Sequence, residues 1–494
     1  MMNKIKLTFE EFESLAKVHK TIPVYQRILA DLLTPVAAWA HLIEQTDNGF
    51  LLESVEKGTQ YSRYSYLGIN PKMILKNQNS KTYIKTKKGV SETNKPFIEI
   101  LRKIQKEYKT AKLPGIPAFT GGLVGYLGYE TITWVEDIPI HEKSEIEIPD
   151  SIFMLFEDMI VFDHLRASAL VISNVNIPDK PKDLRSIFDS AHKRIDSIGE
   201  SLHTDLNYST PISFPQSKLS SNFTKQEFES AVKTAQKHIR EGDIFQVVLS
   251  QRFQRKTSVP PVTLYRALRT INPSPYMFHL HFKELDIIGA SPELLVKVDD
   301  RSVEIRPIAG TRPRGKNDEE DKQLAEDLLN DKKELAEHLM LLDLGRNDVG
   351  KVAKFGSVSI PEKMVVENYS HVMHIVSDVR GELLSEKDGF DALMSGFPAG
   401  TVTGAPKIRA MEIIYDLEPN RRDVYSGAVG FFDFTGNVNS CIAIRTMVIK
   451  DEVVYFQSGA GIVLDSDPNT EYQETVNKAK ASMAAIDFAE NGLV

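Results

Sequence analysis

The sequence has a single cysteine, Cys441, which excludes an internal disulfide and any metal site built from several thiolates. It lacks an apolar run long enough to span a membrane, and its start, through Leu15, has no apolar core of the signal-peptide type. Positive charge is not in excess, because 60 lysines and arginines stand against 68 acidic residues, a net charge of −8. We therefore expect a cytoplasmic protein that binds neither nucleic acid nor membrane.

The composition is that of an ordinary globular protein, with 494 residues of which 41% are hydrophobic and 26% charged. Residues 201–221 are rich in serine, threonine and proline without periodicity, which indicates a linker. We place a domain boundary there, giving an N-terminal domain over 1–215 and a C-terminal domain over 216–494. From residue 244 onward, strand patterns joined by short turns predominate, and short turns indicate antiparallel pairing. The sequence predicts an α+β fold.

Local signals predict several elements. Residues 23–42 read as a strand, a break at Pro35, and then a strand or a short helix. The glycine-rich segment 121–130 does not match a phosphate-binding loop and predicts close backbone packing. The run 152–162 reads as two paired strands. Three helix starts have a Thr followed three residues later by Glu or Gln, the spacing of a capping box: Thr8 and Glu11, Thr224 and Glu227, and Thr470 and Gln473.

The segment 331–348 has helical periodicity and carries a pair of carboxylates. Glu334 and Glu337 are three residues apart, so they share one helical face. An apolar stripe is predicted beside them, formed by Leu335, Leu339 and Leu342. A solvated helix face would show the same spacing, so this pair alone does not define a site.

A second pair of carboxylates, Glu471 and Glu474, has the same spacing near the C-terminus, after the strand pattern that begins at Val453. Carboxylates in a first helical turn also complement the helix dipole, which is the simpler alternative. Two such pairs together nevertheless supply four hard oxygen ligands, the type that Mg2+ prefers. We therefore predict a magnesium site between the two helices.

Other polar residues cluster at predicted strand ends and glycine-rich bends, among them Glu293, His374 and Thr403. Arg445 lies in an apolar strand pattern, so its guanidinium needs either a protein carboxylate or a substrate carboxylate. His374 has apolar neighbours and could equally be a satisfied core histidine. A basic cluster could be a solvated loop or a route for an anion: Arg306, Arg312, Arg314 and Lys316.

Many ordered motifs resemble the chorismate-utilising enzymes, and most closely the large subunits of anthranilate synthases. They are LLES (51–54), FTGGLVGYLGYE (119–130), GDIFQVVLSQRF (242–253), NPSPYMF (272–278), ASPELL (290–295), PIAGTRPRG (307–315), ELAEHLMLLDLGRND (334–348), YSHVMHIVSDVRG (369–381), FPAGTVTGAPK (397–407), YSGAVGFF (425–432), CIAIRT (441–446) and GAGIVLDSDPNTEYQET (459–475). This resemblance implies two large, mostly antiparallel sheets packed as a sandwich, with helices on the outside.

The resemblance also implies roles for individual residues. Glu337 and Glu474 would be direct Mg2+ ligands, with Glu334 and Glu471 as further or water-mediated ligands. The substrate would be held by Gly310, Thr311, Thr403, Tyr425, Arg445, Gly459, Ala460 and Gly461. Glu293 would be the general acid for a leaving hydroxyl, and His374 would take a ring proton.

The implied reaction converts chorismate and ammonia to anthranilate and pyruvate, the first committed step of tryptophan biosynthesis. Gln246 stands where related enzymes that activate water carry a lysine, and Ala309 stands where aminodeoxychorismate synthases carry one. Both favour the anthranilate reaction. The alternatives are an aminodeoxychorismate synthase subunit and a non-catalytic, tryptophan-sensing subunit.

Regulation and partners follow from the same resemblance. Ser54, Pro275, Tyr276 and Met277 would line a pocket for L-tryptophan as feedback inhibitor, although plain interdomain packing would place them together as well. The chain has no amidotransferase motif, so a separate glutamine amidotransferase subunit is expected to supply ammonia. The sequence does not distinguish a heterodimer from a heterotetramer.

Overall fold

The structure, a computed structural model, describes residues 6–55, 63–108, 110–179, 181, 183–202, 212–369 and 372–494. Part of the predicted linker, residues 203–211, lies outside the described residues. The α-helices are α1 (Phe9–Ala16), α2 (Pro35–Leu42), α3 (Phe97–Glu107), α4 (Leu184–Ser201), α5 (Lys225–Glu241), α6 (Pro261–Ile271), α7 (Asp318–Asn330), α8 (Lys332–Gly350), α9 (Gly389–Gly396), α10 (Lys407–Leu417) and α11 (Pro468–Glu490). Short 3-10 turns lie at Ile43–Gln45, Tyr129–Trp134, His164–Arg166 and Gly400–Val402.

The strands of the first part of the chain are β1 (Thr21–Leu29), β2 (Gly49–Glu53), β3 (Tyr64–Ile69), β4 (Met73–Gln78), β5 (Lys81–Thr86), β6 (Gly89–Thr93), β7 (Gly122–Leu127), β8 (Ser151–Phe156), β9 (Asp158–Asp163) and β10 (Ser168–Asn176). Those of the second part are β11 (Ser220–Ser221), β12 (Gln246–Lys256), β13 (Tyr276–Phe282), β14 (Leu285–Ser291), β15 (Leu294–Asp299), β16 (Ser302–Ile305), β17 (Ile308–Pro313), β18 (Ser359–Asn368), β19 (Val372–Glu382), β20 (Gly404–Ala405), β21 (Ala428–Asp433), β22 (Val438–Ile442), β23 (Thr446–Lys450) and β24 (Val453–Ile462).

The described strands form two antiparallel sheets of 12 strands each. The first has the order β1-β10-β9-β3-β2-β13-β14-β23-β24-β12-β11, with β20 paired to β12. The second has the order β17-β19-β16-β15-β22-β21-β7-β8-β4-β5-β6, with β18 paired to β19. Each sheet contains strands from both sides of residue 215. The functional division into two domains stays a prediction, but the sheets themselves cross that boundary.

Aromatic side chains from the two sheets meet between them. Phe50 of β2 packs edge-to-face on Phe156 of β8 at 4.8 Å between ring centroids, and Tyr126 of β7 packs on Phe282 of β13 at 6.2 Å. All four side chains are buried. Helices cover the outer faces, for example α4 on β10 and α9 on β15. The α+β sandwich predicted from the resemblance is confirmed.

Two of the three predicted capping boxes are present. In α1 and α5 the threonine hydroxyl accepts from the backbone at the third helical residue, and the glutamate there accepts in return. Gly242 ends α5 at φ +84°, a left-handed conformation that favours glycine after a helix. The third prediction is wrong: α11 begins at Pro468, and the Asp467 carboxylate accepts from the Thr470 amide. Proline at the first helical position moves the start three residues earlier than the threonine signal suggests.

The run 152–162 does form two strands, but they do not pair with each other. β8 pairs with β4 and β7 in the second sheet, whereas β9 pairs with β3 and β10 in the first. The chain therefore crosses between the sheets at Glu157. The close packing predicted for 121–130 is confirmed at Gly125, where an added Cβ would lie 1.9 Å from the Ile152 carbonyl oxygen. Among the described residues, no helix is long and apolar enough to cross a membrane.

Candidate active site

Helix α8 presents the first glutamate pair. Asp331 caps it by accepting from the amides of Lys333 and Glu334, which fixes where the helix starts. The predicted apolar stripe is only partly correct, because Leu342 is buried but Leu339 has 44% of its surface exposed. The face next to the glutamates packs on β17 and β19, which brings α8 to the end of the second sheet.

Glu337 contacts the first sheet through Gln246, the first residue of β12. The Gln246 Nε2 donates to Glu337 Oε1 at 3.3 Å. The same amide nitrogen lies 2.7 Å from where a Cβ of Gly461 would be, so a larger residue at 461 would displace the Gln246 amide from this position. Gln246 therefore joins the α8 glutamate to strand β24.

The second glutamate pair lies in the first two turns of α11. Glu474 forms an ion pair with Lys478 at 2.7 Å, and the Lys478 ammonium also donates to the Gly459 carbonyl at 3.0 Å. Burial raises the pKa of Glu471, and the charge of Glu474 adds to the effect. Lys478 was not singled out by the sequence, although its position one helical turn after Glu474 was a readable signal.

The donor set fits a hard divalent cation. Burial raises the pKa of Glu334, and the like charge of Glu337 raises it further. Oxygens from three of the four glutamates do not approach within 4.8 Å of one another in the described chain, so the residues offer pairs rather than a closed cage. That suits Mg2+, which keeps waters and takes one or two carboxylates together with substrate oxygens.

His374 lies on β19 beside the loop-like end of β17. Its Nδ1 is 2.9 Å from the Gly310 carbonyl oxygen and 3.1 Å from the Thr311 hydroxyl. Because a carbonyl only accepts, Nδ1 carries the proton, and Nε2 keeps a lone pair in the neutral ring. Burial lowers the pKa of His374 and nearby Arg445 lowers it too, so the ring is neutral at pH 7. His374 can therefore act as a base through the lone pair on Nε2.

Gly310 connects this histidine to the α8 pair. It has φ +70° at a bulge between β17 and β19, a conformation that favours glycine. A Cβ there would lie 3.2 Å from Glu334 Oε2. Glu334 also accepts from Arg312 at 3.3 Å.

The sequence predicted that Arg445 lies inside a strand, and this is wrong. It lies between β22 and β23 with φ +51°. Burial lowers its pKa, and no carboxylate of the described chain forms an ion pair with it. The protein partner considered from the sequence is therefore missing among the described residues. A partly buried guanidinium of this kind is suited to a carboxylate supplied by a ligand.

Tyr425 is buried next to Arg445 and to strand β24. Its hydroxyl oxygen lies 2.9 Å from where a Cβ of Gly459 would be. Gly459, Ala460 and Gly461 do not form a glycine-rich bend. They continue β24 in register with β12. Their missing or small side chains leave space above the strand for the tyrosine and for a ligand.

Glu293 is enclosed between β14 and β15. Burial raises its pKa to about 7, although the Thr401 hydroxyl donates to it at 2.8 Å and Lys478 is close enough to oppose the shift. It lines a cavity together with Leu341 and Leu344 of α8. Thr403 is buried nearby, but its hydroxyl donates to the Ala399 carbonyl at 2.8 Å, so it shapes the loop.

These contacts link the candidate residues to one another. Glu293 is linked through Lys478 to Gly459, and Gly459 through Tyr425 to Arg445. Arg445 lies near His374, which hydrogen-bonds to the Gly310 carbonyl. Gly310 adjoins Glu334, while Gln246 joins Glu337 to Gly461. The structure thus brings the predicted metal, catalytic and substrate residues together at one site.

A family model described as a chorismate binding enzyme matches residues 47–484. The chain belongs to this chorismate-binding enzyme family. Anthranilate synthase component 1 of Acetivibrio thermocellus is 45% identical over 491 residues, covering 98% of both chains, and that of Synechocystis is 45% identical over 499 residues, covering 97% of this chain and 98% of the relative.

Solved structures agree with the family. Anthranilate synthase component I of Streptococcus pneumoniae superposes with a TM-score of 0.77 at 38% identity, covering 92% of this chain and 99% of that one. The menaquinone-specific isochorismate synthase of Escherichia coli has a TM-score of 0.71 at 17% identity, covering 97% and 98%, which shows the shared fold alone.

The residues expected to bind an inhibitor also come together in this family member. Strand β2 pairs with β13, so that Glu53 stands opposite Met277, and the Val55 amide donates to the Ser274 carbonyl at 3.3 Å. The Ser54 hydroxyl is buried without a hydrogen-bond partner among the described residues. The pairing of Glu53 with Met277 and of Val55 with Ser274 places Ser54 alongside the 275–277 segment, and binding of an inhibitor there stays a prediction.

Two features were missed or left open by the sequence. Arg422 and Glu418 form a buried pair with Nη2 to Oε1 at 2.6 Å, and Arg422 also donates to the Val402 and Val248 carbonyls. The basic cluster is largely neutralised rather than open to an anion: Arg306 pairs with Glu362 and Glu367, Arg312 with Asp327, Asp331 and Glu334, and Arg314 with Asp321.

Proposed function

We propose that the protein is the chorismate-binding subunit of an anthranilate synthase, a lyase that makes anthranilate and pyruvate from chorismate and ammonia. The observation that carries the proposal is one site that combines a carboxyl group with a raised pKa, a neutral imidazole, and a guanidinium that no described carboxylate pairs with. Glu293 has a pKa of about 7, His374 keeps a lone pair on Nε2, and Arg445 forms no ion pair with a carboxylate of the part of the chain that the structure describes.

Substrate binding rests on the residues around Tyr425. Arg445 would bind a carboxylate of chorismate, and the Tyr425 hydroxyl would donate a hydrogen bond beside it. Gly459 and Gly461 leave the space that the ring needs. The four glutamates would hold Mg2+, which when bound would neutralise the second carboxylate of the substrate.

The chemistry then divides between two side chains. As ammonia adds at ring C2, Glu293 donates its proton to the C4 hydroxyl, which leaves as water, and the newly bound nitrogen, cationic after addition, releases one proton to become the amine. The His374 Nε2 then takes the C2 proton, and the electrons of that C–H bond rearomatise the ring as enolpyruvate leaves. The leaving group collects a proton and becomes pyruvate, so each of the two residues moves one proton in a defined direction.

Two positions favour this reaction over its relatives. Gln246 is an amide committed to Glu337 and cannot activate water as a base. Ala309 offers no nucleophile for a covalent adduct in an aminodeoxychorismate reaction. Ammonia needs neither residue, because it is already a nucleophile.

We also propose the partner and the regulation that belong to this function. A glutamine amidotransferase subunit would supply ammonia, as the designation component 1 of the relatives implies. L-Tryptophan would bind between Ser54 and the 275–277 segment as a feedback inhibitor. A Ser54→Phe variant should then retain activity at tryptophan concentrations that inhibit the wild type, measured as anthranilate formation.

The test of the main function uses the purified chain with chorismate, Mg2+ and an ammonium salt, followed by anthranilate fluorescence. We expect anthranilate from ammonium but not from glutamine, and none in the presence of EDTA. Chorismate consumed to a non-fluorescent amino product would instead assign the aminodeoxychorismate reaction. No consumption of chorismate under any condition would favour a non-catalytic sensing subunit.

A further inference from the structure

Thr401 holds the carboxyl group of Glu293. It lies in the 3-10 turn Gly400–Val402, and its hydroxyl oxygen is 2.8 Å from Glu293 Oε1. Within the part of the chain that the structure describes, this is the single hydrogen bond to that carboxyl group. The other carboxyl oxygen, Oε2, accepts no hydrogen bond from the described residues.

The main chain of Glu293 is fixed on both sides of its side chain. Its amide donates to the Ser291 hydroxyl at 3.3 Å, and its carbonyl oxygen accepts from the Ile442 amide at 3.1 Å. The side-chain torsions of a glutamate still leave its carboxyl group free to turn. The direction in which this carboxyl group points therefore depends on its contact with Thr401.

Thr401 is itself held by its turn and by helix α8. The Thr403 amide donates to the Gly400 carbonyl at 3.2 Å, which closes the turn. An added Cβ at Gly400 would collide with the side chain of Leu344, so the turn packs closely on α8. Because threonine is branched at Cβ, its side chain has few rotamers. The hydroxyl is thus a hydrogen-bonding group with a fixed position.

The charged groups around Glu293 do not replace this contact. Lys478 of α11 faces the carboxyl group, while Arg306 and Asp348 line the same cavity and are paired with other residues. None of the three forms an ion pair with Glu293 in the described chain. Burial raises the pKa of Glu293 to about 7, and Thr401 and Lys478 oppose the shift. Both protonation states are therefore populated near neutrality.

The two oxygens of a protonated carboxyl group differ. One carries the proton and donates, whereas the other is a carbonyl oxygen and accepts. A hydroxyl that donates to Glu293 Oε1 therefore favours the arrangement in which Oε2 carries the proton. The same hydroxyl also stabilises the carboxylate that remains after the proton has left, because a hydrogen bond to a charged acceptor is stronger than one to a neutral acceptor.

We propose that Thr401 is a positioning residue for the acid step: its hydroxyl donates to Glu293 Oε1 and so places the transferable proton on Oε2. The inference rests on the proposed function, in which Glu293 protonates the C4 hydroxyl. The Oε2–H bond breaks, its electron pair stays on Oε2, and the proton bonds to the C4 oxygen. The C4–O bond then breaks and its electrons leave with the water. Thr401 transfers no proton and keeps its hydrogen bond to Oε1 throughout.

The first test is Thr401→Val in the full chain, because valine removes the hydroxyl and keeps the shape of the side chain. The assay measures anthranilate formed from chorismate, Mg2+ and an ammonium salt between about pH 6 and 9, the range that brackets the pKa of Glu293, with free ammonia held constant. We expect kcat on the low-pH plateau to fall about 10- to 100-fold, the effect of losing one hydrogen bond to a charged group, while the KM for chorismate stays within about twofold.

The falling limb of the kcat profile shows whether Thr401 donates or accepts. In the wild type, kcat should fall as pH rises through about 7, because Glu293 loses its proton. Removing a donor from Oε1 destabilises the carboxylate and raises the pKa of Glu293, so the acid form persists to higher pH. The falling limb should therefore move up by about one to two pH units in Thr401→Val. A merely structural role would lower kcat without moving the limb.

Two further variants serve as controls. Thr401→Ser restores the hydroxyl and should return the falling limb to the wild-type pH, together with most of kcat. Thr435→Val removes another threonine hydroxyl that donates to a buried carboxylate, that of Asp433 at 2.9 Å in the β21–β22 turn, and should leave the profile unchanged. If Thr401→Val does not fold, Thr401→Ala removes the same hydroxyl without adding an atom, and the same shift is expected.

The proposal is overturned if the limb in the variants that lack the hydroxyl stays in place or moves to lower pH. It is also overturned if Thr401→Ser is as impaired as Thr401→Val, because the shape of the side chain and not its hydroxyl would then matter. Failure of the wild type to make anthranilate from ammonium, or full turnover by Glu293→Gln, would instead overturn the proposed function, and the role of Thr401 with it.

Discussion

At the residue scale, the pH dependence of Glu293 is the sharpest consequence of the site. Burial raises its pKa to about 7, and the general acid must be protonated, so the active form is lost as pH rises through that value. With free ammonia held constant, kcat should fall above about pH 7. A flat profile from pH 6 to 9 would contradict the role of Glu293 as the acid.

The same residue can be tested by substitution. Glu293→Gln removes the proton donor but keeps size and should lower kcat about 10²- to 10⁴-fold. Glu304→Gln removes another buried carboxylate, on β16, where Glu304 pairs with Lys297 at 3.6 Å. It should retain activity within about twofold of wild type. Equal losses in the two variants would indicate a general packing effect.

Many site residues could be named from motifs, but their backbone conformations and contact partners could not be predicted. Arg445 looked like a strand residue, because the apolar letters around it continue, yet it lies between two strands at positive φ. Lys478 and the Glu418–Arg422 pair were missed although each ion pair joins residues four apart, because that spacing is equally typical of an exposed helix face. What distinguishes them is contact with distant residues: Lys478 with the Gly459 carbonyl, and Arg422 with the Val402 and Val248 carbonyls. A local sequence pattern does not show which residues from distant parts of the chain will be in contact.

At the element scale, local sequence signals predicted two of the three helix starts correctly, whereas the pairing of strands was not predicted correctly. The capping boxes of α1 and α5 depend on residues three apart, and both were predicted correctly. The run 152–162 was correctly divided into strands, but β8 and β9 belong to different sheets. Alternating apolar residues fix which face is buried and not which strand is the neighbour.

Glycine contacts in β7 give a stability prediction. Gly125→Ala would place a Cβ 1.9 Å from the Ile152 carbonyl oxygen and should lower the free energy of unfolding by about 3 kcal/mol. Gly199→Ala near the end of α4 has no atom within 4 Å of its new Cβ and should raise it by about 0.5 to 1 kcal/mol. Urea unfolding measures both, and equal midpoints for the two variants would contradict the packing argument.

Helices α8 and α11 give a prediction about metal binding that does not depend on activity. Mg2+ at about 100 times its Kd should raise the free energy of unfolding by about 2.7 kcal/mol and shift the thermal midpoint upward. A Glu337→Gln, Glu474→Gln double variant should lose this shift, whereas Asp343→Asn, at an exposed carboxylate on α8, should keep it. The same stabilisation in the double variant would place the cation elsewhere.

At the scale of the whole molecule, both sheets are built from both parts of the chain. In the first sheet β2 of the N-terminal part pairs with β13, and in the second β7 pairs with β21. The candidate active site lies in the C-terminal part, while the strands that complete its two sheets come from before residue 215. Strands from both parts of the chain are therefore needed to complete the sheets, whereas the candidate active-site residues come from the C-terminal part alone.

This architecture predicts that residues 216–494 do not fold alone. Without the N-terminal part, β13 and β21 become open edges, and Phe282 loses its contact with Tyr126. We expect the isolated fragment to be insoluble or to bind ANS without a cooperative unfolding transition, whereas coexpression with 1–215 should restore a soluble complex that makes anthranilate. A fragment 216–494 that unfolds cooperatively by itself would show that the sheets close without their N-terminal strands, and the catalytic part would then be an independent domain.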